Sequence, residues 1–207
     1  PCTNPIVTPM CNSMFAIKGR NAIIISPHPR AKNVNKYLID LMNAELAKLG
    51  APKDIIQTIE SPSIEASAEL MREVDVVVAT GGAAMVKSAY SSGKPAYGVG
   101  PGNVQCIIDD DVDITECVPK IIAGRKFDNG IICSGEQTVI APAGKYDAIM
   151  AEFQKNNCAF ITDPAQKQAL REALFPGGVM NKDLVGQGVA KIAAAAGLTV
   201  ADGTQVI

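Results

Sequence analysis

Short apolar runs alternate along the chain with longer stretches in which apolar residues recur every three or four positions. Residues 21–26 (NAIIIS) form the first such run and predict a buried strand. Beyond Pro27, His28 and Pro29, apolar residues recur at Val34, Leu38, Leu41, Met42, Leu46 and Leu49. That spacing is helical, and Gly50 supplies a C-terminal stop. Residues 54–60 (DIIQTIE) predict a second strand, and residues 63–72 a helix with Ser63 at its N-cap. Residues 75–80 (DVVVAT) read as a third buried strand, which ends in Gly81 and Gly82 and opens a helix over about residues 83–90. Residues 95–100 (PAYGVG) read as a fourth strand.

Strands alternating with helices imply parallel βαβ units, an α/β fold class and a doubly wound sheet. Ligands of such sheets bind beyond the carboxyl ends of the strands. Here those ends are Ser26-Pro27-His28, Thr80-Gly81-Gly82 and Gly98-Val99-Gly100. From Asn103 the pattern restarts, with a strand at 104–109, a helix at 114–126 and a turn around Cys133. A strand at 138–142 follows, then a helix with Tyr146, Ile149, Met150 and Phe153 on one face, and helical stretches at 163–175 and 189–196. The expected domains are 1–102 and 103–207. The chain opens at Pro1 without Met and stops after GTQVI, which reads as a strand, so a segment of a larger enzyme is expected.

The 207 residues are 47% hydrophobic and carry a formal net charge of −2, enough chain for a real core. Near-neutrality gives no reason to expect nucleic acid or an anionic membrane surface as partner. No apolar run has the length to cross a bilayer, and no secretory signal is visible, so a cytoplasmic location is expected. The six cysteines, Cys2, Cys11, Cys106, Cys117, Cys133 and Cys158, form no CxxC pair, and the single His28 cannot complete a zinc-finger spacing. Reduced thiols in a cytosolic protein are the better reading.

Four groups could carry chemistry. Thr80, Gly81 and Gly82 would let a phosphate approach the backbone at a helix N-terminus, although the spacing is not GxGxxG and also suits an ordinary strand-to-helix turn. His28, Arg30, Lys32 and Lys36 could anchor cofactor phosphates or simply form a solvated helix start. Asp109, Asp110, Asp111 and Asp113 read as a solvated turn and helix cap rather than a metal site. Cys133 lies between glycines in FDNGIICSGEQ, far in sequence from His28. As a nucleophile it would need backbone N–H groups or a helix terminus to favour its thiolate, and a leaving group that needs no proton. An aldehyde that gives up hydride to a nicotinamide meets that condition. The other five cysteines read as inert thiols.

FDNGIICSGEQ resembles the catalytic-cysteine segment of the aldehyde dehydrogenase superfamily, in the form carried by its CoA-acylating branch. TNP at residues 3–5 resembles the family's asparagine motif. RNAIIISPHPRAK and ATGGAAMVKSAYSSGKPAYGVGPGN stand in the family's order and spacing, so the resemblance spans nearly the whole chain. It is nearest to acetaldehyde and succinate-semialdehyde dehydrogenases of the acylating type, including the aldehyde dehydrogenase half of bifunctional aldehyde–alcohol dehydrogenases. The resemblance implies a Rossmann-like parallel sheet for NAD over 1–102 and the start of a catalytic α/β domain over 103–207. It implies Cys133 as nucleophile, with the Asn4 side chain and the Cys133 N–H as oxyanion donors. It also implies that Thr3, Ser26, Pro27, Thr80, Gly81, Gly82, Gly98 and Gly100 line the NAD cleft, with His28 and Arg30 on adenosine phosphates of NAD or CoA. No metal is implied; the implied partners are a small aldehyde and coenzyme A, and the full-length chain would be a homo-oligomer.

One departure bears on the reaction. Hydrolytic members of the family carry a glutamate base in an ELGG-like stretch, where this chain has YGVGPGN with no acid from Lys94 to Asn103. Water needs a base to attack a thioester, whereas a thiol needs much less help. Gly98 in the glutamate's place therefore points to CoA as acyl acceptor. The alternatives are a hydrolytic NAD(P)-dependent enzyme with its base elsewhere, or a nucleotide-binding fragment without turnover.

Overall fold

The structure, a computed structural model, describes residues 3–207. Cys2, one of the thiols read as inert, lies outside the described residues. The chain divides into two compact units, Pro1–Pro101 and Gly102–Ile207.

The first unit runs α1 (Val7–Lys18), β1 (Ile23–Ile25), α2 (Lys32–Lys48), β2 (Ile56–Thr58), α3 (Ile64–Glu73), β3 (Val77–Thr80), α4 (Ala83–Tyr90) and β4 (Ala96–Val99). β1 pairs with β2, Ile23 opposite Ile56, and β3 with β4, Val77 opposite Ala96; both pairs are parallel. Parallel neighbours need a crossover, which α2 and α4 provide. Gly50, at φ +77°, follows the end of α2 in a conformation that suits glycine. Asn43 Nδ2 of α2 donates to the Ile56 carbonyl at 2.8 Å and fastens the crossover to its strand. Ser63 caps α3 by accepting from Ala66 N at 3.0 Å.

Two features depart from the sequence expectation. Among the described residues no ladder joins the β1–β2 pair to the β3–β4 pair, so the sheet is not continuous. Each of these strands is only three or four residues long and is laddered to a single neighbour. The strands read as buried also keep one open face. Val77 and Ala79 of β3 are buried with Ala89, against Met71, Val74 and Ala96, while Val78 between them is 58% exposed. α1 has no counterpart in the sequence reading.

The second unit contains β5 (Gln105–Ile107), α5 (Ile114–Lys126), β6 (Thr138–Ile140), α6 (Tyr146–Lys155), α7 (Pro164–Leu174) and α8 (Val189–Ala195). β5 and β6 are parallel, Cys106 opposite Val139, with α5 in the crossover. Ile108, Val118, Ile121, Ile122 and Ile149 form its core, with Phe153 packed against them. Asp113 caps α5 by accepting from Thr115 N, and Asp163 caps α7 by accepting from Gln166 N, both at 2.8 Å. The chain end forms a single parallel bridge, Val206 with Cys158, rather than a full strand. Among the described residues no helix is long and apolar enough to cross a membrane.

Candidate active site

In the first unit, topology gathers the candidate residues at strand ends. Thr80 ends β3 opposite Val99 of β4, and Gly81 N donates to the Val99 carbonyl at 3.1 Å, so the two glycine-bearing turns are neighbours. Gly82 is the N-cap of α4, which has no side-chain cap. A Cβ placed on Gly82 or on Gly100 would meet nothing within 4 Å. The N-terminus of α4 is thus left without a side-chain cap beside glycines with open space around them, an arrangement suited to a phosphate.

After β1, the Ser26 hydroxyl lies 2.8 Å from Ser67 Oγ, which donates its one proton to the Ser63 carbonyl. Ser26 must therefore be the donor to Ser67, and its hydroxyl ties the strand end to α3. Pro27 is buried and His28 exposed. His28 Nδ1 accepts from Arg30 N at 3.1 Å, which caps the turn that leads into α2. Lys36 is taken up by Asp40 at 2.9 Å and Glu60 at 3.9 Å; the Asp40 hydrogen bond and charge raise its pKa. The basic group narrows to His28, Arg30 and Lys32, with no ion pair on Arg30 or Lys32 among the described residues.

Thr3 and Asn4 lie in the bend before α1, both half-buried. Their neighbour Pro5 is held from below by Asn35, whose Nδ2 donates to the Pro5 carbonyl at 3.2 Å. Asn35 was not singled out from the sequence; a polar residue inside an amphipathic helix gives no periodic signal.

Gly98 has a steric cause. A Cβ at this position would lie 2.6 Å from Val86 Cγ1 and 2.9 Å from Tyr90 Cε2, and Tyr90 Oη accepts from Gly98 N at 3.1 Å. A side chain there, a carboxylate included, would have to displace Val86 and the exposed Tyr90 ring. Val86 and Tyr90 are the residues that sequence reasoning missed here.

In the second unit, Cys133 sits in the irregular stretch between α5 and β6 and is exposed. Asp128, Asn129 and Gly130 adopt φ of 50°, 54° and 70°, three successive left-handed residues that swing the chain back from the end of α5. Asn and Asp tolerate this region better than other residues with a side chain. Asn129 Nδ2 donates to the Gly186 carbonyl at 2.9 Å, and Gln137 N and Thr138 N both reach the Val104 carbonyl at 3.1 Å. Buried Gly135 lies on the backbone of α5: a Cβ there would meet the Gly124 carbonyl at 3.4 Å. A Cβ on Gly124 itself would lie 2.7 Å from Glu136 Cδ and overlap its carboxylate. Glu136 Oε2 is buried with no hydrogen-bond partner among the described residues. A glycine inside a helix ordinarily costs about 1 kcal/mol relative to alanine; here it makes room for the loop that carries Cys133.

The other thiols differ from Cys133. Cys11, Cys106, Cys117 and Cys158 are half-buried rather than fully enclosed. Burial pushes the Cys106 and Cys158 thiols above their ordinary pKa. Of the aspartates at 109–113, Asp113 caps α5 and Asp109 accepts from Asp110 N at 2.7 Å, so those two serve the turn.

Residues 1–193 match the model of the aldehyde dehydrogenase family. The chain belongs to that family. It is 56% identical over 207 residues to a succinate-semialdehyde dehydrogenase (acetylating) of Clostridium kluyveri, a match that covers all of this chain and 46% of that protein. An acetylating aldehyde dehydrogenase of Geobacillus thermoglucosidasius superposes with a TM-score of 0.90 at 37% identity, over 99% of this chain and 46% of the other. A propionaldehyde dehydrogenase of Rhodopseudomonas palustris, solved with bound CoA and an acylated cysteine, gives 0.87 at 35%, over 99% and 47%. The chain thus spans about half the length of these relatives.

Proposed function

We propose that this chain carries the nucleotide cradle and the nucleophile of an NAD-dependent, CoA-acylating aldehyde dehydrogenase acting on a short-chain aldehyde. The observation that carries the reading is the filling of the space at position 98: Val86 and Tyr90 occupy the place where a water-activating carboxylate would stand. A thioester without that base is slow to meet water but open to a thiol. The acylated cysteine and bound CoA of the Rhodopseudomonas relative support the same chemistry.

Cys133 Sγ would add to the aldehyde carbon and form a thiohemiacetal. Asn4 Nδ2 and the Cys133 N–H would donate to the oxygen as it gains negative charge. The open backbone at Gly82 and Gly100 and the uncapped N-terminus of α4 fit a pyrophosphate, with Thr3, Ser26, Pro27, Thr80 and Gly81 around the nucleotide and His28 and Arg30 as its cationic neighbours. A bound nicotinamide would supply the hydride acceptor, and loss of hydride from the adduct would leave a thioester on Cys133. The CoA thiol, its proton released to solvent, would then take the acyl group and return Cys133 as a thiolate, and each step would run in either direction.

The test is a burst measurement on the full-length enzyme. With NAD⁺ and aldehyde but no CoA, about one NADH per site should form and turnover should stall. CoA should restore it, and acyl-CoA with NADH should yield aldehyde. Sustained NADH production with free carboxylic acid would restore the hydrolytic reading.

A further inference from the structure

We infer that Asn35 is a positioning residue for Asn4, an inference that rests on the oxyanion role proposed for Asn4. Asn35 lies in the first turn of α2 and is 2% exposed. Asparagine is a poor helix former, and a buried amide must find partners on both ends. Asn35 finds them outside its own helix. Oδ1 accepts from Thr58 Oγ1 of β2 at 3.3 Å, and Nδ2 donates to the Pro5 carbonyl at 3.2 Å. The Pro5 carbonyl can only accept, which fixes the amide orientation.

A single side chain thus joins helix, strand and the carbonyl of Pro5, the residue that follows Asn4. Pro5 has no N–H, so its carbonyl is the only main-chain hydrogen-bonding group it has to anchor the bend from within. An oxyanion donor has to be held in place before charge develops, and a misplacement of about 1 Å can cost about 10²-fold in rate. Asn35 supplies that hold from beneath without touching the reacting atoms.

The test uses the full-length enzyme with Asn35→Ala and the smaller polar change Asn35→Ser, each against Asn4→Ala and Thr58→Val. Asn4→Ala should lower kcat by about 10²–10³-fold. Both Asn35 variants should lower kcat by about 10–10²-fold with the Kd for NAD unchanged. In the Asn4→Ala background, Asn35→Ala should cost less than about twofold more, because the donor it positions is gone. Thr58→Val, which spares the Pro5 bond, should leave kcat within about threefold. Folded Asn35 variants with wild-type kcat, or effects that multiply with Asn4→Ala, would overturn the inference. So would failure of both variants to fold, which would make Asn35 a stability residue. Wild-type kcat in Asn4→Ala would instead remove the oxyanion reading itself.

Discussion

The two units hold their candidate residues by different means. In the first, Ser26 and Thr80 stand at or just after the ends of parallel strands and Gly98 one residue before the end of β4, and strand pairing brings Gly81 to Val99 whatever the turns contain. In the second, Cys133 stands in an irregular stretch with no ladder beneath it. Its course depends on three left-handed residues, a tie from Asn129 to Gly186, and the fit of Gly135 and Glu136 onto α5 at Gly124. A binding surface made from strand ends tolerates loop variation, because the scaffold sets its position. A nucleophile on a loop has its position set by each contact the loop makes.

The sharpest break of that comparison is Cys133→Ala in the full-length enzyme. It should lower kcat by about 10⁴-fold or more while NAD affinity, which the proposal assigns to the first unit, stays within about twofold. Steady-state rates and fluorescence titration with NADH check both halves. Turnover within tenfold of wild type would move the nucleophile to another thiol, although Cys106 and Cys158 have their pKa raised by burial.

The same contrast governs what the sequence could reveal. β1 to β6 and α2 to α8 follow from apolar runs, helical spacing and caps such as Ser63 and Asp163, all of them local signals. α1 was illegible because its pattern is inverted: it buries Pro9 and Ser13 and exposes Met14 and Phe15. The open faces of β3 and β4 were illegible too, since Val78 and Tyr97 are as apolar as residues that are buried. At the site, glycines marked the strand-end turns and the Cys133 loop. The contacts that shape that loop join residues far apart, 129 with 186 and 124 with 136, and the hold on the Asn4 bend joins 5 with 35. Nothing in a local window encodes such pairs. The meaning of Gly98 likewise waited on Val86 and Tyr90, which stand on another element.

A smaller effect tests whether the Cys133 loop is held by tertiary fit. Gly→Ala inside a helix ordinarily stabilises by about 1 kcal/mol. At Gly124 the added methyl would displace the Glu136 carboxylate, so the sign should reverse, to a loss of about 1–2 kcal/mol. Glu136→Ala removes the obstructing group, and the double variant should recover most of that loss. Urea denaturation of the four proteins in the cycle measures the coupling. Additive single effects would mean that the carboxylate swings away at no cost and that the loop is not seated by this contact.

The smallest effect compares the helix caps of the two units, Ser63 on α3 and Asp113 on α5. Ser63→Ala should cost about 1 kcal/mol at neutral pH. The hydroxyl does not titrate, and the adjacent Glu65, whose carboxyl is lowered first by its own backbone N–H and second by Ser63, adds only a secondary acid sensitivity. Asp113 works as a carboxylate: the Thr115 hydroxyl, then the Thr115 N–H, hold its pKa below the ordinary value of 3.8. A group with a depressed folded pKa contributes its stability in full above the unfolded value and loses it as pH falls through the folded one. The destabilisation seen in Asp113→Ala should therefore shrink as pH is lowered from neutral to well below the ordinary value of 3.8, while that of Ser63→Ala largely persists. Amide hydrogen exchange in the first turns of α3 and α5 across that range reads the two caps separately. An Asp113→Ala difference that stays constant with pH would show that the carboxylate is not the group that caps α5.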